Sequence, residues 1–321
     1  MTAEQSESVN ARKTRWHQST LSTLLDGCSW QYFLTYVLEM DQGPKPFAAV
    51  GTAFHSAVEL HERNRMNDEK TSKKEMLDEG TTKLTAAITD PELLVQLLPN
   101  LEASINNWYD KGQREWLLAY TPIAIEPEFT LPLVDSARPI GGYIDAIYCD
   151  DTTGTLFVVD HKTAKDFSRW RDGEGHRHQA AMYSAALVLS EDFPMITEMP
   201  EMVYMVTRTS SSTRANFEHT RIIRVQPTIE DVVLLGDRIR SAEKIVATES
   251  YKPNTGWPLC SAKWCPFYEG CQVTGELLGT PKEIRDRVRP DQKLALSEMM
   301  VWESTQYTSS ATTITEEVNN V

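Results

Sequence analysis

The stretch from Arg138 to Asp166 reads RPIGGYIDAIYCDDTTGTLFVVDHKTAKD and decides the fold. β-Branched and aromatic residues flank a cluster of turn-forming residues at 150–154. This pattern predicts two strands, Pro139 to Cys149 and Thr155 to His161, joined by a tight turn. The stretch is therefore expected to form a β-hairpin.

Charged side chains end the second predicted strand. Residues two apart in a strand share a face, so Asp160 and Lys162 project together while His161 points away. Asp145 lies among apolar neighbours in the first strand. Paired carboxylates bind Mg²⁺ or Mn²⁺ through oxygen, and a nearby lysine stabilises charge during phosphoryl transfer. The hairpin therefore indicates metal-assisted phosphodiester chemistry.

Three short motifs follow one another in a recognisable order: G-G-Y-I-D, V-V-D-H-K-T and Q-A-A-M-Y. Together they resemble the RecB-like branch of the PD-(D/E)xK nuclease superfamily, including its iron-sulfur CRISPR-associated exonuclease family and AddB-type nuclease domains. The resemblance implies an α/β (α+β) restriction-endonuclease-like core. In that core a mixed central sheet is flanked by helices, with a helical insertion and an iron-sulfur cluster closure.

The resemblance also implies roles for individual residues. His55 in G-T-A-F-H corresponds to a metal-binding histidine, although a lone histidine on a helix is ordinarily a surface or core residue. The implied metal ligands are His55, Asp145 and Asp160. The implied catalytic residues are Lys162, which assists the attacking water, with Asp145, Asp160, Gln179 and Tyr183.

The five cysteines require a separate explanation. Cys260, Cys265 and Cys271 follow a C-x4-C-x5-C spacing that is looser than the paired C-x-x-C of a zinc ribbon. By the resemblance, Cys28 is the fourth ligand of a 4Fe-4S cluster, although Ser29 replaces the customary proline after it. Cys149 is the alternative fourth ligand, but it lies beside the hairpin turn and is better explained as a residue of the predicted strand. A further hypothesis is a zinc-stabilised nucleic-acid adaptor, and this hypothesis rests on the cysteines alone.

The composition is that of a globular chain, with 40% hydrophobic residues among 321 and a net charge of -14. No apolar run approaches the roughly 20 residues of a membrane span, and the N-terminal sequence lacks the apolar core of a signal peptide. We therefore expect a cytoplasmic protein without a membrane partner. The acidic charge is unfavourable for nucleic-acid binding, but its local distribution includes two basic sets. They either line a narrow channel or are scattered, solvated charges. The two sets are Lys162, Lys165, Arg169, Arg171 and Arg177, and Arg208, Arg214, Arg221 and Arg224.

The predicted organisation is a flexible leader at 1–15, one nuclease domain at 16–274 and an acidic, disordered tail at 275–321. Prolines at 91 and 99 are expected to break a helical insertion over about 60–120. Glu126 and Glu128 are expected to share a strand face, where either is a candidate for an extra metal or water contact, and solvent exposure is the favoured interpretation. His176 and His178 are expected to be incidental.

The function implied by the resemblance is a Mg²⁺- or Mn²⁺-dependent DNA exonuclease acting at DNA ends or single strands. Its context would be phage or bacterial recombination, repair or CRISPR-related processing, with recombination or CRISPR proteins as partners and homo-oligomers as assemblies. The alternative is a non-catalytic iron-sulfur DNA-binding accessory factor for recombination or CRISPR adaptation. The charged set of Asp145, Asp160 and Lys162 argues against that alternative, because a protein without catalysis has no need of buried charges.

Overall fold

The predicted hairpin lies inside a five-stranded mixed sheet. The computed structural model describes residues 14–40, 45–133 and 136–288. Within them the strands are β1 (Thr121–Ile125), β2 (Glu128–Leu131), β3 (Ile140–Tyr143), β4 (Ala146–Asp150), β5 (Thr155–Ala164), β6 (Glu201–Arg208) and β7 (Thr220–Val225). The large sheet has the order β1-β4-β5-β6-β7, and only β5 and β6 are parallel in it. The predicted fold class is confirmed.

The first predicted strand is divided at Ile144 and Asp145. The part before the break, β3, pairs with β2 in a separate two-stranded sheet, and the part after it, β4, pairs with β5. Uninterrupted pairing from 139 to 149 was therefore wrong. The chain changes partners here because the Ile144 N–H donates to the Pro127 carbonyl and the Asp145 carbonyl accepts from the Glu126 N–H.

Helices account for most of the segments before, between and after the strands. They are α1 (Gln18–Ser22), α2 (Ser29–Tyr32), α3 (Pro46–Met66), α4 (Lys73–Ala87), α5 (Pro91–Asp110), α6 (Gln113–Leu117), α7 (Arg177–Val188), α8 (Ile229–Ala247) and α9 (Pro281–Val288). π-Helical turns at Thr23–Gly27 and Phe33–Val37 continue α1 and α2, and another covers Glu269–Val273. Cys28 has an extended backbone and lies between two of these helical segments.

Proline and capping residues mark the starts of α3, α4 and α5. Pro46 and Pro91 occupy the first turns of α3 and α5, where a missing N–H costs nothing, and Ser72 with Glu75 forms a capping box on α4. Pro99 was expected to break a helix but lies inside α5. The buried face of α5 compensates for the lost hydrogen bond, because its side chains join the core. That face contains Leu97, Leu101, Ile105 and Trp108.

The main core lies between the helices α3, α4 and α5 and one face of the large sheet. Phe54 and Ala57 of α3 meet Tyr148 and Val159 of the sheet in this cluster. Burial of these apolar side chains fixes α3 over β4 and β5. The site residues on α3 therefore have a rigid base.

Contact clustering separates two compact units. One contains Met1–Leu21, Gly43–Val134 and Arg138–Arg240, and the other contains Ser22–Gln42, Asp135–Ala137 and Ser241–Val321. The predicted domain limits at 16–274 remain a prediction, and most of the predicted leader and tail lies outside the described residues. Within the described part of the tail, Pro281–Val288 forms helix α9. No helix among the described residues is long and apolar enough to cross a membrane.

Candidate active site

Helix α3 is oriented so that His55 faces the strand break at Asp145. Glu62 lies two turns after His55 on the same helix face and accepts a hydrogen bond from the Tyr148 hydroxyl at 2.7 Å. Arg65 Nη1 lies 3.1 Å from the same carboxylate oxygen of Glu62. This buried link holds the helix on β4, and His55 Nδ1 lies 3.3 Å from Asp145 Oδ2.

Glu126 lies beside His55 and Asp145, so three side chains that can ligate a metal ion come together. One ligand atom from each residue lies within 4.8 Å of the others, and all three residues are half-buried. Glu126 was expected to point to solvent beside Glu128, and the structure separates the two. Glu128 pairs with Arg15 at 2.8 Å instead. The sequence signal for Glu126 was its place before Pro127, where a strand changes direction.

The backbone at Glu126 is unusual. Its φ of 53° is left-handed, a conformation that costs a non-glycine residue about 1–2 kcal/mol. The Glu126 N–H donates to the Asp145 carbonyl at 3.0 Å, so the two strand breaks hold each other. Strain of this kind persists where the surrounding structure imposes it, and it is frequent at functional sites. The two breaks together bring the Glu126 and Asp145 carboxylates to one point.

Asp145 is also tied to the catalytic strand β5. Its Oδ2 accepts a hydrogen bond from the His161 backbone N–H at 2.7 Å. This contact connects the group of His55, Glu126 and Asp145 to the backbone between Asp160 and Lys162. The group of His55, Glu126 and Asp145 therefore lies next to Asp160 and Lys162 on β5.

The second group surrounds Asp160, whose side chain is 1% exposed. Lys162 Nζ lies 2.6 Å from Asp160 Oδ2, as expected for residues two apart on one strand face. From α7, Gln179 Nε2 donates to Asp160 Oδ1 at 2.7 Å and to the Tyr183 hydroxyl at 3.2 Å. The oxygens of Asp160 lie outside the 4.8 Å group.

Burial raises the pKa of Asp160 to about 6, and the nearby Asp145 carboxylate adds to this effect. The Lys162 ammonium opposes the shift but does not cancel it. Lys162 itself is 30% exposed, so its ammonium can also reach solvent or a bound anion. Asp160 is thus a carboxylate whose charge is only partly compensated by the residues around it.

The donor set fits a divalent cation. A histidine nitrogen and two carboxylates are ligands that Mn²⁺ and related ions accept, and carboxylates alone suit Mg²⁺. Asp160 Oδ2 is buried and receives no hydrogen bond of acceptable direction within the described chain, despite the nearby ammonium. A cation between these groups would satisfy the underpaired carboxylate charge.

His161 points to the opposite face of β5, as the strand period predicts. It packs edge-on against Trp108 and His55, with ring centroids 6.1 Å and 6.5 Å apart. Burial lowers the pKa of His161 to about 3, so the ring is neutral. Neither ring nitrogen has a hydrogen-bond partner among the described residues. His161 is therefore a neutral ring that lines the same pocket as His55, Glu126 and Asp145.

Four of the five cysteines line one cavity in the second unit. Its walls contain the Cys28, Cys260, Cys265 and Cys271 thiols with Trp30, Phe267 and Tyr268. Cys149 lies apart, in strand β4. The cavity thus joins the sequence-distant Cys28 to the C-terminal three.

The thiols of this cavity lack compensating cations. Burial raises the pKa of Cys271 to about 12, and the other three thiols raise it further. Burial also raises the pKa values of Cys260 and Cys265, each with an added contribution from Cys28. Such a set fits a cationic metal centre, because a bound metal deprotonates its thiols.

Four thiolates suit either a tetrahedral zinc ion, with Zn–S bonds of about 2.3 Å, or an iron-sulfur cluster. No group of three cysteine sulfurs within 4.8 Å of one another occurs among the described residues. The Asn254 N–H also donates to Cys28 Sγ at 3.4 Å, a contact that stabilises a thiolate.

The two predicted basic sets do not form one channel of unpaired charge. Three arginines make ion pairs that support the fold: Arg177 with Asp231, Arg221 with Glu218, and Arg224 with Glu201. Arg208 lies between the Phe167 and Phe217 rings at 4.6 Å and 4.7 Å. Exposed cations without an ion pair in the described chain remain at Lys165, Arg169, Arg171 and Arg214.

Comparison with known proteins decides the family. The model of the PD-(D/E)XK nuclease superfamily matches residues 15–272, which is most of the chain and contains both polar groups and all five cysteines. The chain belongs to the PD-(D/E)XK nuclease superfamily. For a member of this superfamily, the carboxylates of the site, together with Lys162 on β5, indicate metal-dependent nuclease activity with DNA as the substrate.

Other comparisons add little to the PD-(D/E)XK assignment. A solved structure described as "Crystal structure of SSO0001" is 12% identical and covers 69% of this chain and 84% of its own, with a TM-score of 0.32. That score is too low to carry an argument. No curated protein gives a significant match.

Proposed function

We propose that the protein is a Mg²⁺- or Mn²⁺-dependent deoxyribonuclease of the RecB-like branch that acts as an exonuclease on DNA ends or single strands. The observation that carries the proposal is the group of His55, Glu126 and Asp145 beside the Asp160 and Lys162 pair. Phage or bacterial recombination, repair or CRISPR-related DNA processing is the proposed context.

His55, Glu126 and Asp145 would hold the ion, with Asp160 as an additional carboxylate. A divalent ion there would supply a Lewis acid for a phosphoryl oxygen. In hydrolysis, water adds to phosphorus and one P–O bond breaks, so negative charge grows on the phosphoryl oxygens. The half-exposed Lys162 ammonium can stabilise that charge or orient the water.

Gln179 and Tyr183 would position these groups. Gln179 holds Asp160 Oδ1 and the Tyr183 hydroxyl together, so the carboxylate keeps one orientation. Both residues lie on α7, one turn apart, and this helix packs on the sheet through small buried alanines. A rigid helix therefore supports the carboxylate during the reaction.

We propose further that Cys28, Cys260, Cys265 and Cys271 bind a 4Fe-4S cluster with a structural role. The cavity that the four cysteines share supports their binding one metal centre. Closing a loop of more than two hundred residues would restrict the unfolded chain and so stabilise the folded one.

Cleavage of defined DNA tests the proposed activity. Labelled linear single strands, blunt duplexes and circular forms of both should be incubated with the full chain in Mg²⁺, Mn²⁺ or chelator. The proposal expects metal-dependent loss of linear DNA, with circles resistant, and at least about 10²-fold slower cleavage by Lys162→Ala. Lys74→Ala, on the surface of α4, is the control. Binding without cleavage in any metal would instead favour the accessory factor.

A further inference from the structure

The ring of His176 lies flat on the ring of Trp170, just after the catalytic strand. Their centroids are 3.9 Å apart and their planes differ by 5°. Parallel stacking this close is the arrangement that a nucleobase adopts on an aromatic side chain. His176 is only partly buried, whereas Trp170 is 9% exposed. The histidine is thus the accessible member of the stack.

Several contacts fix this ring pair. Tyr204 packs against both rings, and its hydroxyl donates to the His176 carbonyl at 2.8 Å. Arg221 Nη1 donates to the Trp170 carbonyl at 2.8 Å. Gly173 has a φ of 77°, and a Cβ there would lie 2.5 Å from Val225. Only glycine allows the chain to turn so tightly that His176 returns over Trp170.

The ring pair is close to the chemistry. Tyr204 is the register partner of Asp160 in the parallel pairing of β5 and β6. Burial, with a smaller contribution from the Lys162 charge, lowers the pKa of His176 to about 4 and keeps the ring uncharged at neutral pH. The ring pair therefore offers a flat, uncharged surface near the reactive lysine.

The same loop carries exposed cations. Lys165, Arg169 and Arg171 have no ion pair in the described chain, although the protein as a whole has a net charge of -14. Phe167 anchors the loop beneath Arg208 and Arg221, at 4.6 Å and 4.8 Å. Fixed cations beside a stacking ring match the alternation of phosphate and base along a nucleic-acid strand.

We propose that the Trp170 and His176 stack is a platform for one base of an unpaired nucleic-acid strand, placed next to the phosphate at Lys162. A base in a duplex is already stacked on both faces, so the platform selects single-stranded or frayed DNA. This inference rests on the proposed nuclease function and names the substrate form that the same site accepts. His176 is a positioning residue in it.

Binding measurements separate stacking from charge. Fluorescence anisotropy with the full chain in divalent-free buffer would give the affinity for labelled dT₁₂, an abasic dodecamer and a 12-base-pair duplex. Base stacking is worth about 1–3 kcal/mol, so His176→Leu should weaken dT₁₂ binding about 5- to 150-fold. Abasic and duplex affinities should be unchanged. His176→Phe should retain dT₁₂ binding, because it keeps an aromatic face.

Controls make each outcome decisive. Arg169→Ala should weaken dT₁₂ and abasic binding equally, because it removes only a phosphate contact. Leucine and phenylalanine both fill the space of the imidazole, so a difference between them reports aromaticity and not folding. Equal losses on dT₁₂ and abasic strands for His176→Leu, or no loss on either, would overturn the platform. If the parent binds as expected but cuts no DNA, the nuclease proposal fails while the platform stands.

Discussion

Replacing Asp160 with asparagine should stabilise the protein when no metal is present. The pKa of Asp160 is raised from 3.8 to about 6, mainly by burial. Each pKa unit is about 1.4 kcal/mol, so keeping this carboxylate charged costs the folded state about 3 kcal/mol above pH 6. Asparagine retains the acceptor for Gln179. The attraction of Lys162 is already contained in this pKa, so the expected gain stays at about 3 kcal/mol.

The pH dependence has a definite sign. The folded protein holds the Asp160 proton more tightly than the unfolded chain, so the stability of the parent falls as the pH rises from about 4 to about 6. The advantage of Asp160→Asn should therefore grow over that window and then level off. At pH 8 it corresponds to an increase of about 6–12 °C in melting temperature.

Thermal unfolding followed by circular dichroism, with and without Mn²⁺, tests this reasoning. Mn²⁺ should raise the melting temperature of the parent more than that of Asp160→Asn, because the variant keeps His55, Glu126 and Asp145 but loses the additional carboxylate. Asp166→Asn is the control, because hydrogen bonds from Ser168 lower the pKa of this exposed carboxyl and its neutralisation should not stabilise. An Asp160→Asn variant that melts at or below the parent at pH 8 without metal would refute the argument.

Three further changes test other parts of the site. Glu126→Gln should weaken Mn²⁺ binding in calorimetry at least tenfold, whereas Glu128→Gln, which loses only a surface ion pair, should bind like the parent. Lys162→Ala should keep its DNA affinity and lose at least about 10²-fold in the single-turnover rate, and an equal loss of both would make it an ordinary phosphate contact. Cys28→Ala should lose iron and melt earlier after anaerobic purification, whereas Cys149→Ala should keep the iron. The opposite result for these two, or stoichiometric zinc in the parent, would contradict the cluster.

Local patterns predicted the parts of the site that lie on one element. The period of two placed Asp160 and Lys162 on one face of β5, and their charged atoms are 2.6 Å apart. Turn residues and β-branched runs likewise predicted the hairpin of β4 and β5. These features depend on residues that are close together in the sequence, so a local sequence pattern predicts them.

Features that depend on distant hydrogen bonds were missed. The strand breaks at Glu126 and Asp145 depend on the hydrogen bond from the Glu126 N–H to the Asp145 carbonyl, between residues far apart in the sequence. A local alternation of apolar and polar residues cannot predict such a bond. Glu126 was therefore assigned to solvent. His176 was judged incidental because its stacking depends on the left-handed turn at Gly173, whose need for glycine appears only beside Val225. The gathering of Cys28 with the C-terminal cysteines was implied by family resemblance and not by spacing.

The most direct measurement of the central claim is an anomalous difference map from crystals soaked in MnCl₂, recorded at the manganese edge. The account predicts a manganese peak ligated by His55, Glu126 and Asp145, beside the Asp160 carboxylate. The peak should disappear in Asp145→Asn crystals of the same form. Manganese bound elsewhere, with these three side chains left without a metal, would contradict the account.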